Sequence, residues 1–197
     1  MSFKQYLKTM EGPSIVYSFG RMNPMHNEHY ILTQFMVDLA KRKKYQDIVL
    51  YTSFSQNQKK NPLYPNDKIN FLKMMVPKGV KVSEDTTLKN AFQILEDLIK
   101  NKKYTRIAFV VGEDRVKDFQ TLYKYAKDWG EEVNSVIDFK IEQRKGSRTK
   151  GMSGTDMRQY AKDNDFEKFL KFAPKSLSKK EIQDLFVKTQ IGLGVIT

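Results

Sequence analysis

Four short apolar runs divide the chain, and each is rich in residues that favour β-strands. They cover residues 15–19, 47–52, 106–111 and 136–141, the last being the weakest. A Gly-Pro turn signal comes before the first run, and a glycine directly follows both the first and the third. Continuous Val/Ile-rich runs of this kind are typical of parallel strands that are buried on both faces.

Amphipathic stretches separate these runs and predict helices between the strands. Apolar side chains recur at helical spacing over residues 29–45, 88–102 and 116–129. The chain after residue 165 is also helical in pattern, with a capping box predicted at Ser178 and Glu181. Alternating strands and helices indicate an α/β fold, a Rossmann-like open parallel sheet flanked by helices. We therefore predict an α/β domain over residues 1–165 and a C-terminal helical extension over residues 166–197 that packs on it.

Composition narrows the class of protein. The 197 residues are 40% hydrophobic and carry a net charge of +12, with no cysteine. Such a chain can bury one real core, and it has no disulfide framework, thiolate zinc site or cysteine nucleophile. No apolar run reaches the length of a membrane span, and the first residues are too polar for a signal peptide. We expect a cytoplasmic protein without a membrane partner, while its oligomeric state stays open.

The two histidines of the chain follow the first predicted strand. His26 and His29 are three residues apart, where the next helix begins. Ligands of open α/β sheets bind beyond the carboxyl ends of the strands, which is where this segment lies. Both imidazoles would lie on one side of a first helical turn, whose N–H groups and dipole favour an anion. A single histidine here would more often be a surface or cap residue, but the pair favours a ligand site.

A second helix start carries hydroxyls and an arginine. Ser153 and Asp156 have the spacing of a helix cap, Thr155 adds a hydroxyl, and Arg158 follows within one turn. An arginine fork and a free helix N-terminus together suit phosphate oxygens. The alternative is a plain helix cap with solvated basic neighbours. Two anion-binding helix starts in one small sheet protein predict a polyphosphate held between them.

The same segments carry a resemblance to a known family. GRMNPMHNEH at residues 20–29 resembles the GRFxPxHxGH motif of the HIGH-signature nucleotidyltransferases, also called the cytidylyltransferase-like family, and GMSGTDMR at 151–158 resembles their ISxTxxR motif. VGEDR at 111–115 is similar to their GxD element. KNPL at 60–63, followed by Asp67-Lys68, is similar to a substrate-side loop of small bacteriophage members. The likeness covers most of the chain.

The resemblance implies an enzyme that moves a nucleoside monophosphate group from an NTP to a small phosphorylated acceptor and releases pyrophosphate. It also implies that Mg²⁺ accompanies the NTP. SGT followed by Arg158 resembles adenylyltransferases, including those that act on nicotinamide mononucleotide, whereas RTxGxSxT at 148–155 resembles cytidylyltransferases. We favour ATP over CTP. Nicotinamide mononucleotide, a sugar phosphate and a phosphopantetheine precursor all remain possible acceptors.

The family's roles can be carried over to matching positions. The resemblance implies three catalytic residues, eight nucleotide-binding residues and four substrate-binding residues: catalytic His26, His29 and Arg158; nucleotide-binding Phe19, Gly20, Arg21, Met22, Asn23, Met152, Ser153 and Thr155; substrate-binding Lys60, Asn61, Gly112 and Asp114.

The sequence departs from the family pattern at two positions of the first motif. Glu28 stands where the family has glycine, and Met22 where it has an aromatic residue. A carboxylate in a first helical turn is locally favourable, but one aimed inward would repel a triphosphate or recruit a metal. A catalytically impaired protein that binds nucleic acid or a virion is therefore the rival interpretation. The net charge of +12 and the Tyr-Lys-Tyr segment at 123–125 would suit it.

The segment Arg144–Gly151 is rich in like charges and poor in apolar residues. We expect it to be mobile in the free protein and to become ordered over a bound nucleotide, because the triphosphate would offset the repulsion.

Overall fold

Five parallel strands form one sheet. The structure, a computed structural model, describes residues 12–146 and 149–196. The strands lie in the order β3-β2-β1-β4-β5, and all of their pairings are parallel. Their bounds are β1 Ser14–Gly20, β2 Asp47–Thr52, β3 Lys81–Val82, β4 Arg106–Gly112 and β5 Asp138–Arg144. The predicted open parallel sheet is thus confirmed, with β3 as a short edge strand that the apolar pattern did not predict.

Seven α-helices connect and flank these strands in the described part of the chain. They are α1 Asn27–Lys43, α2 Pro65–Met75, α3 Ala91–Lys100, α4 Leu122–Glu132, α5 Gly154–Lys162, α6 Phe166–Phe172 and α7 Lys179–Leu193. The single helix predicted over residues 116–129 is wrong, because a 3-10 helix, Glu113–Phe119, comes before α4. Helix α2 was not predicted, although Pro65 at its start is a common helix signal. The predicted capping box of α7 is present, since Ser178 and Glu181 bond each other's backbone N–H groups.

Three apolar clusters hold the layers together. On one side of the sheet, Tyr17 of β1 stacks on Phe109 of β4 with ring centroids 4.6 Å apart, and α3 and α4 cover them. Helix α1 packs against Val16 and Val110 on the opposite face. A third cluster joins α2 to α5, α6 and α7. Helices beyond residue 165 therefore share a core with α2, and none of the helices in 12–146 or 149–196 is long and apolar enough to span a membrane.

The chain order across the sheet creates a cleft between β1 and β4. From β1 the chain runs outward through β2 and β3, then returns to the other side of β1 and runs outward again through β4 and β5. Connections that leave two neighbouring strands in opposite directions open a crevice at their carboxyl ends, which is where open α/β sheets bind ligands. The Ser18 hydroxyl donates to the Val110 carbonyl at 2.8 Å and ties the two strands together there.

Candidate active site

A cavity of about 670 Å³ lies at the carboxyl ends of β1 and β4. All but two of the predicted site residues line it: Phe19, Gly20, Arg21, Met22, Asn23, His26, His29, Lys60, Gly112, Asp114, Ser153, Thr155 and Arg158. The two that do not line the cavity are Met152 and Asn61, and both are buried. The side-chain amide of Asn61 donates to the Ser55 hydroxyl at 3.1 Å, so this side chain supports its own loop.

The histidine pair lies at the first turn of α1. His26 occupies the N-cap position, and its ring centroid lies 3.8 Å from that of His29. The backbone N–H of His26 donates to Nδ1 of His29 at 3.2 Å. A nitrogen that accepts a hydrogen bond is not protonated, so Nε2 carries the proton in neutral His29. The predicted placement of both imidazoles on one side of the helix start is therefore confirmed.

Hydrogen bonds from other parts of the protein fix residues 20–26, the end of β1 and the loop that leads to α1. The carbonyl of Gly20 accepts from the Thr52 hydroxyl at 3.0 Å, and that of Asn23 accepts from Arg158 Nη1 at 2.8 Å. The side chain of Asn23 also accepts from the backbone N–H of Leu63 at 2.9 Å. Met22 has a φ of +46°, which is uncommon for a residue with a side chain and is kept only where its surroundings fix it.

The start of α5 is a complete helix cap beside this loop. The Ser153 hydroxyl accepts from the Asp156 N–H at 3.1 Å, and the Asp156 carboxylate accepts from the Ser153 N–H at 3.0 Å. A Cβ on Gly154 would lie 3.2 Å from Arg158 Nη1 and 3.7 Å from the Asn23 carbonyl, so α5 approaches the loop closely at a residue without a side chain. The predicted cap is thus present, and its hydroxyl is already engaged in capping.

Arg158 spans from α5 to the loop. Its Nη2 donates to the Thr155 hydroxyl at 3.0 Å while Nη1 bonds the Asn23 carbonyl. Burial, and then the positive charge of Arg21, lower the pKa of Arg158. Among the described residues, no carboxylate forms an ion pair with Arg21, Lys60 or Arg158. Positive charge without a carboxylate counterion at a cavity wall favours an anionic ligand.

The position of Glu28 in the motif suggested an isolated carboxylate in the cavity, but the structure gives this carboxylate a partner. Its carboxylate pairs with the guanidinium of Arg144 at the end of β5 and also accepts from the Thr149 hydroxyl at 3.2 Å. Both partners of the ion pair are largely buried, with 11% of the Glu28 side chain and 15% of the Arg144 side chain exposed. The guanidinium therefore offsets the repulsion that this carboxylate would exert on a triphosphate.

Arg144 and Gly146 belong to the segment expected to be mobile. The Gly146 N–H donates to Glu113 at 3.4 Å, which adds a second tether to the one at Glu28. Ser147 and Arg148 lie outside the described residues, and the ordering of this segment on nucleotide binding stays a prediction.

Two features of the site were missed by sequence reasoning. The pairing of Glu28 with Arg144 joins residues 116 positions apart, and no local pattern signals it. Lys68 of α2 was noted only as part of a motif, yet it is fully buried behind the loop between β1 and α1. A lysine is almost never fully buried, so charge patterning places such a residue at the surface.

The donor groups at the cavity decide which kind of metal ion it could hold. Within 12–146 and 149–196, no group of three His, Asp or Glu side chains is arranged to hold a metal ion. Mg²⁺ commonly binds through one or two carboxylates together with substrate phosphates. The cavity offers Asp114 and Glu113 for such a role, so an ion that arrives with an NTP fits the residues present better than an all-protein site.

Solved structures similar to this chain share its fold. A putative nicotinate-nucleotide adenylyltransferase from Vibrio parahaemolyticus matches with a TM-score of 0.55 and 17% identity, over 94% of this chain and 97% of that one. TmcAL from Thermotoga maritima, solved with alpha-thio ATP, matches with a TM-score of 0.54 and 13% identity, over 92% of this chain. This chain spans 56% of the TmcAL chain. A macrolide-efflux protein from Streptococcus pneumoniae has a TM-score of 0.53 and 18% identity, over 82% of this chain and 65% of that one.

Sequence comparison identifies the family. No curated protein sequence matches the chain significantly. The sequence profile of the cytidylyltransferase-like family matches residues 17–160, a range that runs from β1 to α5 and includes both helix starts at the cavity. With the Rossmann-like sheet and the histidine pair in place, the chain belongs to the cytidylyltransferase-like family of nucleotidyltransferases.

Proposed function

We propose that the protein transfers AMP from ATP to a small phosphorylated acceptor and releases pyrophosphate. The observation that carries the proposal is the convergence on one cavity of two helix N-termini and of cationic side chains that have no carboxylate partner among the described residues. Such a cavity suits a triphosphate, because amide donors and arginines compensate the negative charge of the phosphates. The proposed reaction needs no covalent intermediate.

In this proposal a phosphate oxygen of the acceptor attacks the α-phosphorus of the NTP. The new P–O bond forms as the bond to the β-phosphate oxygen breaks, and the electron pair leaves with pyrophosphate. Nε2 of His29, together with His26, would stabilise negative charge on the transferring phosphate, and Arg158 would hold the leaving β- and γ-phosphates. Mg²⁺ bound to the phosphates would neutralise part of their charge. Catalysis would thus consist of positioning and electrostatic stabilisation.

The choice of ATP is supported by two of the similar structures, one of a putative adenylyltransferase and one solved with an ATP analogue. The acceptor would enter from the side of Lys60 and Asp114, which line the same cavity. Nicotinamide mononucleotide is the first acceptor to test, since it is chemically closest to the substrate named for the Vibrio structure. A cytoplasmic location and a bacteriophage origin belong to the same proposal.

Pyrophosphate release is the direct test. The protein is incubated with Mg²⁺, each of the four NTPs, and nicotinamide mononucleotide, a sugar phosphate or a phosphopantetheine precursor. We expect release with ATP and one acceptor, and none without the acceptor. Release with CTP alone among the nucleotides would replace ATP in the proposal. Absence of binding by all four NTPs at millimolar concentration in calorimetry would overturn it.

The nucleic-acid alternative has less support at the surface expected to carry it. The Tyr123 hydroxyl accepts from the Ile141 N–H at 3.0 Å, and the Tyr125 ring meets Phe92 edge-on. Both aromatic rings have partners within the protein, Tyr123 with Phe139 and Tyr125 with Phe92. A filter-binding series across salt concentration would reveal duplex binding through many phosphates as a steep loss of affinity.

A further inference from the structure

A fully buried lysine lies directly behind the loop that follows β1. Lys68 is 0% exposed, and its ammonium donates to the Arg21 carbonyl at 3.4 Å and to the Ser53 carbonyl. These two carbonyls belong to the loops that follow β1 and β2, the neighbouring strands at the cavity end of the sheet. No carboxylate within 12–146 or 149–196 pairs with this ammonium. Lysines are rarely kept in such a place without a counterion.

Carbonyl oxygens carry partial negative charge and would repel phosphates if they faced the cavity. In the loop after β1, the carbonyls of Gly20, Arg21 and Asn23 each accept a hydrogen bond from a protein donor. Of these three carbonyls, that of Arg21 accepts from the buried ammonium of Lys68. A charge-assisted hydrogen bond is about twice as strong as a neutral one. The Thr52 hydroxyl also donates to the Arg21 carbonyl at 3.2 Å.

We propose that Lys68 is a positioning residue for nucleotidyl transfer: its buried ammonium holds the Arg21 carbonyl away from the triphosphate and fixes the loop that leads to His26. This inference rests on the proposed function, because the loop matters for catalysis only if a triphosphate binds against it. Lys68 does not line the cavity and so acts through the loop rather than on the substrate.

The ammonium of Lys68 loses its proton at a lower pH than an exposed lysine does. Burial lowers the pKa of Lys68 to about 8. No carboxylate of the described residues pairs with it: Asp67 on the same helix pairs with Lys188 of α7 at 3.6 Å, and Arg21 contributes its carbonyl while lining the cavity. Above pH 8 the ammonium becomes an amine, which is a weaker donor to the two carbonyls.

The direction of the pH effect on folding is opposite to that on binding. Because the pKa of Lys68 in the folded protein lies below its ordinary value, the unfolded chain binds more protons between pH 8 and pH 10. Folding stability contributed by Lys68 therefore rises with pH in this interval. The affinity for NTP should fall over the same interval, since the loop loses its charged support.

The experiment compares Lys68→Met, Lys68→Arg and wild type, with Lys73→Met as a matched control. Lys73 lies on the same helix, is solvent-exposed and pairs with Glu84 at 2.7 Å. KM and kcat for ATP are measured from pH 7 to pH 9.5. At pH 7 we expect Lys68→Met to raise KM by about 10–100-fold, the effect of losing a hydrogen bond to a charged group. Lys73→Met should match wild type at every pH.

The pH profile separates positioning from mere packing. Wild type should lose NTP affinity above pH 8, and this alkaline loss should be absent in Lys68→Met and Lys68→Arg. If Lys68→Arg fails to fold, the comparison of Lys68→Met with wild type still decides the question. A Lys68→Met enzyme with the KM and the pH profile of wild type would overturn the proposal.

Hydrogen exchange of residues 20–23 in the ligand-free protein gives a readout that does not depend on turnover. We expect these amides to exchange faster in Lys68→Met than in wild type or Lys73→Met. If wild type binds no NTP, the proposed function fails, and exchange still shows whether Lys68 fixes the loop. Equal exchange in Lys68→Met and wild type would show that it does not.

Discussion

The two helix starts at the cavity are built differently. The first turn of α1 is made of the residues expected to do chemistry, with His26 as N-cap and His29 bonded to its backbone. The first turn of α5 is closed by a serine and an aspartate that satisfy each other's backbone N–H groups. The start of α1 thus presents imidazoles to the cavity, while the start of α5 is closed by its own cap and presents Arg158 one turn later.

This difference separates two tasks that a phosphate site combines. A reacting phosphate needs donors aimed at charge that develops during the reaction, whereas the phosphates that leave need a firmly placed cation. In the proposed function, α1 would serve the first task and α5 the second. Substitutions at the two starts should therefore change different measured quantities.

The largest effect is expected at α1. His29→Ala should lower kcat about 10²–10⁴-fold, because a preorganised donor to the transition state is lost. We expect His26→Ala to lower kcat by a similar factor. Folding should persist, since neither histidine belongs to the three apolar clusters. Pyrophosphate release measures kcat, circular dichroism checks the fold, and Tyr30→Phe on the same turn serves as control. Loss of folding in His29→Ala with a silent His26→Ala would assign the pair a structural role.

An intermediate effect is expected at Arg158. Arg158→Ala should weaken ATP binding about 10–100-fold and lower turnover with it, because charge-assisted bonds to phosphate and the support of the Asn23 carbonyl disappear together. Lys162→Ala removes the same charge from an exposed position of α5 and should leave binding unchanged. Calorimetry with ATP and Mg²⁺ measures both. Unchanged affinity in Arg158→Ala would remove α5 from the phosphate site.

The smallest effect on binding is expected at Ser153. Ser153→Ala should lower the free energy of unfolding by about 1 kcal/mol through loss of the cap. Its effect on ATP affinity should stay within a few-fold, since the hydroxyl is engaged with Asp156. Ser178→Ala removes the equivalent cap of α7, far along the chain, and should cost similar stability in urea unfolding with no effect on affinity. A loss of affinity at Ser153 as large as at Arg158 would instead show that this hydroxyl binds phosphate.

Much of this arrangement could be predicted from local sequence. The strands β1, β2 and β4 follow from continuous apolar runs, and the helix starts at His26 and Ser153 follow from residue types with known cap geometry. The two-residue strand β3 is too short to leave a pattern. The break between the 3-10 helix Glu113–Phe119 and α4 was not predicted, because residues 116–129 have a continuous amphipathic helical pattern.

What could not be predicted depends on contacts between distant parts of the chain. The ion pair of Glu28 with Arg144 exists only once β5 lies beside β4 and its end reaches α1. The burial of Lys68 depends on α2 covering the loops after β1 and β2. A lysine in the sequence predicts an exposed position instead. Both features modify the charge of the site, so its electrostatics were less predictable than its location.

The contact between the last helix and Pro62 has a consequence for synthesis. A Cβ on Gly192 of α7 would lie 1.9 Å from the Pro62 carbonyl, so the helix rests directly on the backbone of the segment that carries Lys60. During translation the sheet and the histidine pair emerge well before residue 192. The cavity wall that carries Lys60 thus receives this support only after residue 192 has left the ribosome, and the wall of a nascent chain is incomplete until then.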